Sequence, residues 1–95
     1  MSKRSEYIDK LKTKLDEWNQ DLDRLEEKSR QARGDMQKQY QQQIEDLRRQ
    51  REQLKKNYRE LEQAGEDAWE DFRQRSEKAW KDLEEGFRKA WSAFR

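Results

Sequence analysis

The chain has 95 residues, of which 47% are charged and 29% hydrophobic, and its net charge is +1. That allows one small unit, taken as residues 1–95, and leaves almost nothing for strands: Val is absent, and Ile8, Thr13 and Ile44 are the β-branched residues. Histidine and cysteine are both absent, which argues against a zinc site, a disulfide and the usual nucleophile–base pairs.

From the amino-terminal side, the apolar positions run Ile8, Leu11, Leu15, Trp18, Leu22 and Leu25, in steps of 3, 4, 3, 4 and 3. This is a heptad seam, one narrow apolar stripe along a helix. It continues through Ser29 and Ala32 to Met36. It then steps through Tyr40, Ile44 and Leu47, where four extra residues make a stutter. Heptads resume at Arg51, Leu54, Tyr58 and Leu61. With no proline to break it, the spacing predicts one long helix over about 4–63.

Gly65, followed by Glu66 and Asp67, is read as a turn. Glycine can take a left-handed helix-ending conformation, and acids suit the start of a new helix. Gly34 has similar turn chemistry, but the seam passes through it in phase, so it is read as mid-helix. A second helix is predicted over 66–94. Its segments 65–72, 76–83 and 87–94 repeat Ala-Trp with Phe or Leu three residues later. Trp69, Trp80 and Trp91 are thus 11 residues apart, as are Phe72, Leu83 and Phe94. An 11-residue (hendecad) spacing gives a nearly straight stripe.

The predicted fold is therefore all-α: a long helix with a shorter carboxy-terminal helix folded back as a hairpin. The helix-packing face is assigned to Trp69, Phe72, Trp80, Leu83, Phe87, Trp91 and Phe94, meeting Trp18, Leu54, Tyr58 and Leu61. Folding back leaves the first half of the long helix uncovered. Two arrangements cover it. Either Gly34 turns to give a monomeric three-helix bundle, or two chains pair antiparallel in a domain-swapped dimer. The in-phase seam favours the dimer. Exposed faces carry acid-before-base pairs four apart, among them Glu6–Lys10, Glu26–Arg30, Glu45–Arg49, Glu77–Lys81 and Glu85–Lys89.

No catalytic residue, cofactor or metal site is expected. No glycine-rich phosphate loop occurs, and acid pairs such as Glu17 and Asp21 arise by chance among 22 acids. Six bases lie within 48–59: Arg48, Arg49, Arg51, Lys55, Lys56 and Arg59. They could contact phosphates, but they spread around the helix and a paired or solvated face is the simpler reading. A membrane surface is the runner-up partner, since Trp and Phe on one helical face suit a lipid interface. Eleven-residue amphipathic repeats also resemble the lipid-binding repeats of exchangeable apolipoproteins. Residues 66–95, however, carry eight acids and seven bases, so no basic face is offered to anionic lipid. The start Met1, Ser2, Lys3, Arg4 leads into charged sequence, unlike a signal peptide, and a cytoplasmic location is expected.

Tyr7, Ile8 and Leu11, then Leu15 to Trp18, the seam to Leu61 and the later Ala68, Trp69, Glu70 and Asp71 together resemble a family of small bacterial coiled-coil domain-containing proteins of unknown function. The resemblance covers most of the chain. It implies a bacterial, soluble coiled coil and supplies no catalytic or ligand residues. The expected function is a non-catalytic, self-associating scaffold or protein-interaction module. Its partner is a second copy of itself, or another helical protein.

Overall fold

Three helices of nearly equal length make up residues 3–94, the part of the chain described by the structure, a computed structural model. They are α1 (Lys3–Gln31), α2 (Asp35–Gln63) and α3 (Glu66–Ala93). They form an up-down-up bundle of 51 × 20 × 18 Å. No strand occurs among the described residues. Met1, Ser2 and Arg95 lie outside them.

The long helix expected over 4–63 is two helices. The chain leaves α1 after Gln31 and re-enters a helix at Asp35. Gly34 makes the break, at φ 65 and ψ −135, a conformation that side-chain-bearing residues avoid. Neighbouring helix preference is overridden here by burial. Reversal lets α1 lay Leu11, Leu15, Trp18, Leu22 and Leu25 into the core, where each large apolar side chain contributes roughly 1.5–3 kcal/mol. A straight 61-residue helix, alone, would leave that stripe in water.

The turn at Gly65 occurs where expected, but not by the expected geometry. Ala64 and Gly65 are both extended, at φ −69 and φ −75. The Gly65 carbonyl accepts from the amides of Ala68 and Trp69 at 3.2 and 3.0 Å, opening α3. The left-handed glycine is thus the one in the middle of the seam, not the one between the two sequence patterns.

On α3 the buried positions are Ser76, Leu83, Phe87 and Ala90, with Phe94 at its end. Trp69, Phe72, Ala79, Trp80 and Trp91 flank them, half-buried against the hydrophobic core. Ser76 and Ser29 are fully buried within it, where small side chains let helices come close.

α2 packs closely on both neighbours. At Gly86 the approach is so tight that a β-carbon would lie 2.9 Å from Leu47 Cδ2 and from Gln50 Oε1. α1 and α3 stand farther apart, and aromatic rings fill the space between them.

Candidate functional site

The expected packing face divides into a buried line and a half-buried flank. Leu54, Leu61 and Leu83 are fully covered, and Trp18, Phe87 and Phe94 nearly so. Tyr58, Trp69, Phe72, Trp80 and Trp91 are half-buried against the cluster. Every one of these residues packs on the single core of the bundle.

The α1–α3 seam is built from rings. Trp18 stacks on Phe87, with centroids 5.7 Å apart and planes 7° from parallel. It also meets Trp80 edge-on at 6.2 Å. Tyr7 lies between Trp69 and Trp80, at 6.1 and 5.9 Å. Such pairs add about 0.5–1.5 kcal/mol beyond the area they bury. At the far end, Tyr40 of α2 stacks on Phe94 at 3.9 Å and donates to the Ala93 carbonyl at 3.2 Å.

Cations cover the outer faces of these rings. Lys28 lies 5.6 Å from the Trp91 ring centre, Arg4 5.9 Å from Trp69, and Arg75 5.5 Å from Phe72. An ammonium or guanidinium over an indole is attracted by the ring's negative face. The long stems also shield apolar surface from water.

Polar side chains on the seam have partners of their own. The Ser29 hydroxyl accepts from Gln41 at 2.9 Å, and the Ser29 carbonyl from Gln37 at 3.4 Å. Tyr7 donates a long bond to Ser76 Oγ at 3.5 Å. Arg51, which falls on the seam, extends outward to Asn19 Oδ1 at 2.9 Å and Glu52 at 3.2 Å. Glu26 pairs across the interface with Arg48 on α2, in place of the expected Arg30. Among the expected four-apart pairs, Glu77–Lys81 and Glu85–Lys89 form at 4.0 and 3.7 Å.

Arg73 is held between Glu70 and Glu77 at 2.6 and 2.8 Å. The hydrogen bond from Arg73 holds the Glu70 carboxyl below its usual range. Burial pushes the Tyr7 phenol up, and burial with the nearby Glu62 does the same to Tyr58.

Of the six bases at 48–59, three are engaged within the fold: Arg48 by Glu26, Arg49 by Asp46, and Arg51 by Asn19 and Glu52. The concave surfaces are open grooves. The α2–α3 groove around Gly86 carries Asp46, Asp82, Glu85 and Lys89 on its rim. No cluster of metal-ligating groups occurs among the described residues, and no described helix is long and apolar enough to cross a membrane.

Arg4, Ser76, Ala90 and Gly86 are contact residues that the sequence reading did not assign. Seven-residue steps (Trp69, Ser76, Leu83, Ala90) were the available signal for two of them. Serine and alanine are weak markers beside tryptophan. Arg4 carried no signal, because its partners are backbone carbonyls 57 and 60 residues away.

No protein-family model matches the chain, and no curated protein or solved structure shows significant similarity to it.

Proposed function

We propose that this protein is a non-catalytic helical interaction module that self-associates, with an antiparallel dimer as its working form. The supporting observation is how its apolar residues are spent. They gather on one core shared by three helices, and one large apolar residue of the seam, Met36, is left 47% exposed between the half-buried Ala32 and the buried Tyr40. An apolar residue left open beside a packed core suits a surface completed by another helix. The strongly charged outer faces keep association to that stretch. Another helical protein with a matching seam is the alternative partner for the same surface.

Sedimentation or light scattering over a range of concentrations tests this reading. A dimer mass that dissociates on dilution supports it. A monomer mass at every concentration removes self-association from the proposal.

A reversible membrane-surface role for α3 is the second reading. Its support is the half-buried flank of Trp69, Phe72, Trp80 and Trp91. Against it, three of those rings lie under cations from α1 or α3, and the helix surface is charge-balanced. Liposome flotation of the full chain distinguishes the two. Failure to float on anionic vesicles rejects the membrane role.

A further inference from the structure

We infer that the Gly34 turn is a hinge through which a second copy of this chain exchanges α1, the two copies meeting at Met36. This rests on the self-association proposed above and specifies its geometry.

The register of α1 on α2 supplies the argument. Arg4 reaches Ala64, Asn19 meets Arg51, Ser29 meets Gln41, and Glu26 meets Arg48. The midpoints of these pairs are residues 34, 35, 35 and 37. Suppose α1 and α2 straighten into one helix, and α1 of a second copy takes the vacated place. Every one of these contacts is then remade between chains. In such an antiparallel pair the two-fold axis passes where a residue faces its own copy, which is within 34–37. The apolar seam residue in that interval is Met36, the large hydrophobic left exposed among the described residues. Exchange therefore keeps the existing interfaces and adds one contact, Met36 on Met36, at the position that lacks cover.

The local structure permits the opening. Residues 33–39 are all exposed. Nothing lies within 4 Å of where a Gly34 β-carbon would stand, and no side chain caps the start of α2 there. Two glutamines on Ser29 hold the turn from the side. Straightening gives helical partners to carbonyls ending α1 and to the first amides of α2, which the turn leaves without them. The seam runs on in phase through Ser29, Ala32 and Met36, and the stutter begins only at Tyr40. α3 stays on its own α2 throughout. What opposes exchange is the entropy of joining two chains, so the balance depends on concentration.

The decisive residue is Gly34, because a β-carbon disfavours the φ 65 turn and favours the helix. Light scattering of Gly34→Ala is expected to show the monomer–dimer balance moved toward dimer by tenfold or more, with helical content kept. Gly65→Ala, at an ordinary extended φ with open space around it, is expected to leave the balance where it was. A second variant identifies the route. Asn19→Cys with Arg51→Cys, joined by a short bismaleimide, is expected to give a two-chain product on a denaturing gel from the dimer fraction. Should Gly34→Ala fold poorly, the 19–51 cross-link in the otherwise wild-type chain gives the answer by itself.

The inference is overturned if the dimer fraction cross-links 19 to 51 only within chains, which would mean that copies associate face to face. That result leaves the self-associating module standing. A monomeric Gly34→Ala at all concentrations overturns it as well. Conversely, a monomeric wild type with a dimeric Gly34→Ala keeps the hinge and removes self-association as the working form.

Discussion

The Arg4 guanidinium lies 3.1 Å from the Leu61 carbonyl oxygen, joining residues 57 apart in the chain. It also donates to the Ala64 carbonyl. α2 has no basic residue in its own last turn. Its unpaired terminal carbonyls and negative dipole end are therefore satisfied from the first turn of α1. The same guanidinium lies over Trp69, so one side chain ties together all three helices.

Arg4→Ala is expected to destabilise the bundle by about 1–2 kcal/mol, the range for a part-exposed, charge-assisted bond to backbone. Arg4→Lys is expected to recover only part of this, because an ammonium lacks the planar fork. Urea unfolding measures both. A wild-type midpoint for Arg4→Ala would mean that the cap has no energetic weight.

Leu83 and Trp91 separate the buried line of α3 from its flank. Leu83 is fully covered, and Leu83→Ala is expected to cost about 2–5 kcal/mol through lost burial and a cavity. Trp91 is the larger side chain but is half in solvent, so Trp91→Ala is expected to cost less than Leu83→Ala. Side-chain size alone would rank Trp91 above Leu83. Thermal melts of the two variants decide between the rankings.

Gly86 is a test of close packing. In an isolated helix, Gly→Ala gains about 1 kcal/mol. Here the new methyl meets Leu47 and Gln50 at 2.9 Å, and Leu47 is held in the core. Overpacking of this kind costs about 1–3 kcal/mol. Gly86→Ala is therefore expected to lower the urea midpoint. Pairing it with Leu47→Ala is expected to be less damaging than the sum of the single changes. A raised midpoint for the single variant would mean that α2 and α3 separate easily.

Alkaline pH should weaken the fold. Burial raises Tyr7 and Tyr58 above their usual 10.0, so the folded chain holds these protons more tightly than the unfolded one. Their contribution is complete below about pH 10 and is lost as pH climbs through the raised values. Thermal melts from about pH 8 to about pH 11 should show falling stability. Tyr7→Phe is expected to flatten the fall. An unchanged slope in that variant would assign the loss to other groups.

Much of this protein was legible in its residues. Absent Val and Pro, abundant Leu, Glu, Lys and Arg, and steps of three and four determined helices and their apolar side. The seam residues Leu11 to Leu25 and Ile44 to Leu61 entered the core as their spacing required, because a period near 3.5 leaves one stripe to bury. Tertiary structure decided where the chain reverses. Gly34 and Gly65 offer the same local chemistry, and only the energy of covering α1 makes Gly34 take the left-handed turn. It also decided which α3 residues are fully buried and which flank the core, since which side of a helix counts as inner depends on the partners beside it. Finally it placed Arg4 on α2 and Gly86 against Leu47, contacts between distant segments that no local spacing encodes. Local periodicity determines which face each helix must bury; the packing of three helices together determines what each face meets.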